Sequence, residues 1–478
     1  MSAAAAPPLA NFTATTASRP TAPLIQYLVT TSSSSTFAGH EIDLFFPIFF
    51  LGFGQSIRIG LTESDTHPAP APAPVSRRDG FGRKNEESAQ HSVQQLSPKV
   101  PSKPCSPWIS VTGNGSKVLQ AVAAQHPVDR KAKPACNIQC HPDLYHYGDH
   151  RRAREFLFRG SDVVEVQNFR PATTDDIGSV HAGPYISGLE KAMDQASEKG
   201  LIFIDGSGPT YATATTFQES LLAAGAGISL VDSVVAASRV SKDPPVAFAL
   251  IRPPGHHAVP KGAMGFCVFG NIAIAARYAQ RMHGLKRVFI IDFDVHHGNG
   301  TNDAFYEDPD IFFLSTHQAG SYPGTGKIDQ IGSGNGEGST LNLPLPGGSG
   351  DTAMRTVFDQ VIVPCAQRFK PDIILVSAGY DAHLLDPLAS LQFTTGTYYM
   401  LASSIKQLAK DLCGGRCVFF LEGGYNLSSL SNSVAESFRA FLGDRSLASE
   451  LDDPSYLHEE PLKKVKQIIE KVKHIHSF

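Results

Sequence analysis

From Val163 onward, short β-branched runs alternate with helix-length segments of 3.6-residue periodicity. That alternation restricts the chain to a mainly parallel sheet covered by helices on both faces, an α/β fold of three layers, αβα. Strands are expected at Val246 to Ile251, Val288 to Phe293, Ile311 to Ser315, Ile373 to Ser377 and Cys417 to Leu421. Between them Phe217 to Ser238, Asn271 to His283, Thr352 to Phe369, Thr397 to Leu412 and Leu430 to Leu442 read as helices. The Gly-rich stretch Gly332 to Gly338 has no Gly-Lys-Ser/Thr ending and leads into a strand-like TLNLPL, so it reads as a loop and not a phosphate cradle.

Three regions follow: 1–150 as a low-complexity N-terminal region with a transit segment and linker, 151–445 as one globular domain, and 446–478 as a C-terminal extension. No acidic residue precedes Glu41, hydroxylated residues are dense, and Arg19 is the only Lys or Arg in that stretch. This composition fits a plastid address better than an Arg-rich mitochondrial one; a tail without an address would leave the protein in the cytoplasm or nucleus. The first several tens of residues are expected to be dispensable for catalysis. Leu44 to Phe53 is apolar for ten residues only and holds Pro47 and Gly52, against roughly 20 residues needed to cross a bilayer, so no transmembrane segment is expected. In the extension Leu462, Val465, Ile469, Val472 and Ile475 fall at helical spacing, a stripe expected to pack on the domain.

With 41 Lys and Arg against 45 Asp and Glu, the net charge of -4 offers no field for nucleic acid, and no direct nucleic-acid binding is expected. Seven irregularly spaced cysteines exclude a small disulfide-framed secreted scaffold. Cys413 and Cys417 read as inert thiols, and the set Cys136, Cys140, His141, His146 and His150 has the wrong spacing for a zinc finger.

Chemistry concentrates where strands end. In Ile291 to Thr301 (IDFDVHHGNGT), alternation along a strand puts Asp292, Asp294 and His296 on one face and Phe293 and Val295 into packing. Carboxylate oxygen and neutral imidazole together suit a divalent ion, zinc above all. Arg252 to Ala258 (RPPGHHA) presents His256 and His257 just past a strand, where imidazole serves general acid/base work. Asp381, after the strand Ile373 to Ser377, supplies a third protein ligand; Tyr425, in LEGGY, supplies a phenol able to donate to a developing oxyanion. All four lie past carboxyl ends of expected parallel strands, where open α/β sheets place their sites.

These motifs, with GFCVFGN, SYPGTG and the Asp386-Pro387 pair, resemble in content and order the class II branch of the zinc-dependent histone deacetylase family, which has the arginase/deacetylase-like fold. The N-terminal composition is similar to that of plant organelle-targeted members. The resemblance implies one zinc per chain on Asp294, His296 and Asp381, a tandem His256–His257 pair, and Tyr425 as catalytic tyrosine. It further implies that Asp292 holds His256 and contributes with Ser315 to a structural potassium site. Asn299 stands beside His257 where class I members carry an Asp, which makes His257 the less basic of the pair. Gly265, Phe266, Tyr322 and Leu388 match the walls and rim of an acyl-lysine channel. The implied activity is hydrolysis of the acetamide of acetyl-lysine in proteins, or of a small acetylated amine of polyamine or arylalkylamine type. A non-catalytic zinc-binding scaffold is disfavoured by Tyr425, and a two-metal ureohydrolase by the tandem histidines. One departure stands out: the Pro-Glu-rich turn and helix that usually build one channel wall are replaced by Cys140 to His150, CHPDLYHYGDH.

Overall fold

The computed structural model describes residues 162–478, apart from Gln167 and Ser207, and the backbone of Ile25–Val29. Its centre is an eight-stranded sheet, every neighbouring pair of which is parallel. In chain order the strands are β1 (Ile25–Val29), β2 (Val163–Glu165), the two-stranded hairpin β3 (Ile202–Phe203) and β4 (Tyr211–Ala212), β5 (Val246–Leu250), β6 (Val288–Asp292), β7 (Ile311–Gln318), β8 (Thr340–Leu345), β9 (Ile373–Ala378) and β10 (Cys417–Leu421). The spatial order across the large sheet is β2-β1-β5-β10-β9-β6-β7-β8.

Alternation along each strand divides the core. Val288 and Ile290 of β6 join Ala247, Ala249, Leu375 and Phe420 under the helices Thr216–Val240 and Asn271–His283. Phe289 and Ile291 join Phe248, Val376 and Phe419 on the opposite face, under Thr395–Cys413, Leu427–Leu442 and Leu462–His476. Both faces are therefore buried, as an all-parallel sheet requires. Local signals set the helix ends: the Asn426 side chain accepts from Ser429 N at Leu427–Leu442, which stops at a left-handed Gly443.

The expected α/β three-layer architecture is the observed one. The expected helix Thr352 to Phe369 starts at Asp351 and is interrupted by a π turn at Phe358–Ile362. TLNLPL forms edge strand β8, and Gly332 to Gly338 is a loop with one 3-10 turn. In the C-terminal helix Val465, Ile469 and Val472 are each 1 % exposed, and burying each contributes about 1.5–3 kcal/mol. Thr216–Val240 is long and apolar enough to cross a membrane by length and composition, yet most of it is buried within this domain.

One element departs from the sequence reading. Ile25–Val29, within the N-terminal stretch expected to be dispensable, is strand β1 and runs between β2 and β5. Five residues are an ordinary strand length, and the flanking low-complexity composition hides so short a signal. The apolar stretch 44–53 and the Cys/His set at 136–150 lie outside the described residues.

Candidate active site

β5, β10, β9 and β6 are consecutive neighbours in the sheet, so the segments leaving their carboxyl ends share one rim. β6 stops at Asp292, and the next residues form a bend and not more strand. Alternation survives the bend because the neighbours hold it: Phe293 N donates to Ser377 O (3.1 Å) and Val295 N to Asp381 Oδ1 (2.9 Å), while both side chains enter the core.

Asp294, His296 and Asp381 converge, their candidate ligand atoms lying within 4.8 Å of one another in full burial. Backbone groups aim the carboxylates. Asp294 Oδ1 accepts from His296 N (2.9 Å) and Asp294 Oδ2 from Gly423 N (2.8 Å). His296 Nδ1 lies 3.1 Å from Asp294 Oδ1 and 3.1 Å from Asp381 Oδ2. A single ring nitrogen carries at most one hydrogen and cannot satisfy both carboxylates, whereas a cation at their common focus would satisfy all three. The surroundings keep that focus clear: a Cβ on Gly423 would stand 2.0 Å from Asp381 Oδ2, and one on Gly379 2.0 Å from Asp294 Oδ2. The donor set thus fits a divalent ion. Burial alone would depress the His296 imidazole, but hydrogen bonds to Asp294 and Asp381 raise it to about 10. Burial and then the Asp294 charge push the Asp381 carboxyl up to about 7.

Beside this focus the two imidazoles of the tandem pair lie 4.0 Å apart, centre to centre. His256 Nδ1 meets Asp292 Oδ2 at 3.1 Å, and His257 Nδ1 meets Asn299 Oδ1 at 2.7 Å. Burial would lower His256, yet Asp294 and Asp292 raise it well above the ordinary histidine value. His257 is driven well below that value by burial and by the positive charges of His256 and His296. Its Nδ1–H donates to the Asn299 amide oxygen, which leaves the Nε2 lone pair free to accept a proton. Burial, reinforced by Asp381 and Asp294, raises the Tyr425 phenol, so it stays a protonated donor.

Tyr322, Phe266 and Gly265 lie against His257 or Tyr425. Tyr322 stands edge-on to His257, 5.1 Å between ring centres, and the Phe266 ring lies 6.0 Å from that of Tyr425. Gly265 adopts φ +55, and a Cβ there would sit 2.5 Å from His257 Cδ2, so only glycine fits. Leu388 is half-buried on the loop after β9, its N–H donating to Asp386 Oδ1. Ser315 is buried beside Asp292 in the β6–β7 register.

The histone deacetylase domain matches residues 150–441 of this sequence. The chain belongs to the histone deacetylase family. It is 76 % identical over 321 residues to "Histone deacetylase 14, chloroplastic" of Arabidopsis thaliana, covering 67 % of this chain and 76 % of that protein. Against "Histone deacetylase 10, chloroplastic" of Oryza sativa subsp. japonica the identity is 75 % over 320 residues, 67 % of this chain and 72 % of the relative. The crystal structure of the HDA15 HD domain superposes with a TM-score of 0.57 at 34 % identity, covering 68 % of this chain and 85 % of that one. The protein is a class II-type hydrolytic deacetylase with the arginase/deacetylase-like fold.

Sequence reasoning passed over several residues that hold the deacetylase site together. Glu422 accepts from Gly255 N (2.7 Å), His256 N (3.1 Å) and Ser377 Oγ (3.0 Å), tying β10 and β9 to the histidine loop. Glu422 also groups with His256 and Cys267 as a second set of possible ligands. Its oxygens are spent on those donors and burial raises the Cys267 thiol, so that set serves as a brace. His317 Nε2 donates to Gly326 O (2.9 Å) and His297 Nδ1 pairs with Thr325 Oγ1 (2.8 Å), fixing the loop that carries Tyr322. A sequence offers one signal for such groups, a polar residue inside an otherwise apolar strand end. Cys413 and Cys417 are buried free thiols with raised pKa values, inert as expected.

Proposed function

We propose that this chain is a zinc-dependent deacetylase that hydrolyses the acetamide of acetyl-lysine in proteins, with one zinc on Asp294, His296 and Asp381. The observation that carries the reading is the convergence of those three donors beside a neutral, Asn299-held His257 and a protonated Tyr425. When bound, the metal supplies Lewis-acid polarisation of the acyl carbonyl and of a nucleophilic water. His257 Nε2 takes the water's proton as its oxygen bonds to the acyl carbon. The Tyr425 hydroxyl donates to the oxygen on which charge develops. The proton then passes from His257 to the departing nitrogen as the C–N bond breaks, giving acetate and a free amine. The positive charge that Asp294 and Asp292 favour on His256 opposes a second one on His257, which stays unprotonated.

Phe266 and Tyr322 supply the apolar walls that the methylene stem of a lysine needs, with Gly265 letting the wall approach His257 and Leu388 at the rim. Asp292 and Ser315, adjacent across β6 and β7, contribute to a structural potassium site. Plastid localisation is supported by the N-terminal composition and by the chloroplastic names of two close relatives. Residues 1–150 carry the address and linker together with strand β1, 151–445 the rest of the catalytic domain and 446–478 an extension ending in the amphipathic helix.

The decisive assay is acetate release by the metal-stripped and zinc-reconstituted protein on acetyl-lysine peptides and on small acetylated amines. Zinc-dependent turnover of peptides, lowered about 10²- to 10³-fold by Tyr425→Phe at unchanged zinc content, is expected. Turnover of small amines alone would replace the protein substrate, and no turnover at full zinc occupancy would leave a scaffold.

A further inference from the structure

We propose that Asp452, in the C-terminal segment beyond the matched domain, is a positioning residue for Tyr425; the inference rests on the deacetylase reading of the site. The link is a short relay of backbone groups. Tyr425 N and Asn426 N donate to Asp386 Oδ2 at 2.7 and 3.2 Å, so Asp386 sets where the tyrosine leaves β10. Asp386 in turn belongs to a turn built on His383: Asp386 N donates to His383 O (2.8 Å), Leu385 N donates to His383 Nδ1 (3.2 Å), and Asn426 Nδ2 reaches back to Leu385 O (3.2 Å). Because Nδ1 accepts from Leu385 N, the nitrogen that carries a hydrogen is Nε2. That nitrogen is buried and makes no hydrogen bond of its own, and the carboxylate facing it is Asp452, with Oδ1 at 3.5 Å. Asp452 Oδ2 accepts from Thr395 Oγ1 at the start of Thr395–Cys413, which anchors the carboxylate from the other side.

A second strut runs parallel to the first. Gln392 Nε2 donates to His458 O (2.9 Å) and His458 N donates to Gln392 Oε1 (2.8 Å). Glu460 accepts from Gly350 N, Thr352 N and Ala353 N, at 2.8, 2.9 and 2.8 Å, capping the helix at Asp351. The segment after residue 441 therefore closes over the loop 383–394, which also carries Leu388. Its placement on the core is independent of that loop, because Val465, Ile469 and Val472 bury the terminal helix separately. A rigid outer clamp on a loop whose inner end holds the tyrosine fixes the distance over which the phenol donates, and misplacement of a reacting group by about 1 Å costs on the order of 10²-fold.

The test is a double-mutant cycle on the full chain loaded with zinc. Asp452→Ala should lower kcat by about tenfold or more, leave KM within about twofold and leave zinc content unchanged. Asp452→Asn, which keeps an acceptor oxygen facing His383 Nε2, should recover most of that loss. In a Tyr425→Phe background, Asp452→Ala should cost nothing further, since the group it positions is gone. His383→Phe, which keeps a ring against Tyr398 and removes both nitrogens, should reproduce Asp452→Ala and serves if that variant fails to accumulate. The same loss in both backgrounds, a rise in KM alone, or wild-type kcat in Asp452→Ala would overturn the proposal. Absence of turnover in the zinc-loaded wild type would strike the parent reading instead.

Discussion

Replacing Asn299 by Asp tests the assignment of His257 as base through a change of one charge. The Asn299 amide oxygen meets His257 Nδ1 at 2.7 Å, and burial and the charge of His256 keep His257 well below its ordinary pKa. A carboxylate at that spot puts a full negative charge about 4 Å from the ring's charge centre, an attraction of roughly 4 kcal/mol at an effective dielectric constant near 20. Discounted for the burial of the new carboxylate itself, this corresponds to the range of about one to three pKa units that close opposite charges produce. The sign is fixed: the carboxylate favours imidazolium, His257 titrates at higher pH, and a general base is lost as pH falls through its pKa. The acidic limb of kcat/KM should therefore move upward by about one to three pH units, with rate largely recovered on the alkaline side. Asn299 Nδ2 also points at His257 O (3.5 Å) and Met264 Sδ (3.3 Å), so the new oxygen faces two acceptors and lowers stability by about 1–3 kcal/mol. That penalty appears in the melting temperature and not in the limb. The assay is kcat/KM from pH 5 to 9 with zinc content measured at each point. An acidic limb that stays in place while zinc remains bound would refute the assignment of the base.

Three further outcomes follow from the same geometry. Gly423→Ala places a Cβ 2.0 Å from Asp381 Oδ2 and 2.6 Å from Asp294 Oδ2, so zinc retained after dialysis should fall at least tenfold at unchanged far-UV dichroism; full zinc retention would contradict the ligand set. With the His296 imidazole raised to about 10 in the metal-free site, Nδ1 must shed its proton to ligate, so zinc uptake near pH 7.5 should release about one proton and affinity should climb with pH. Titration calorimetry in buffers of different ionisation enthalpy measures that proton, and a buffer-independent heat would count against it. Removing residues 1–34 deletes β1 and leaves the facing edges of β2 and β5 without partners, so the melting temperature should fall by several degrees; an unchanged melting curve would show that the sheet does not depend on Ile25–Val29.

What was legible in the sequence was local. Asp292, Asp294, His296 and Asn299 sit within eight residues of one another, and His256 and His257 are adjacent, so each motif announces its chemistry without knowledge of its neighbours. The strand-end position of every motif then supplied the one tertiary fact needed, because parallel strands present their carboxyl ends on a common rim. Glu422, His383 and Asp452 escaped because their meaning is entirely relational: Glu422 works on backbone groups 166 and 167 residues away, and Asp452 faces a histidine that reads as an ordinary member of a loop. β1 escaped for a different reason. Five residues, Ile-Gln-Tyr-Leu-Val, carry too little periodicity to stand out from a Ser/Thr/Pro-rich surround, although a parallel strand between two others needs only backbone groups in register. On the plastid reading proposed above, its position also couples address to fold. A plastid transit segment cleaved after Val29 would remove a strand from inside the sheet, whereas cleavage before Ile25 would leave all eight strands in place. Sequencing the N-terminus of protein recovered from plastids therefore reports on the sheet as well as on the address: a start upstream of Ile25 is the outcome a β1-containing fold requires, and a folded, active protein starting beyond Val29 would mean that β2 and β5 find other partners.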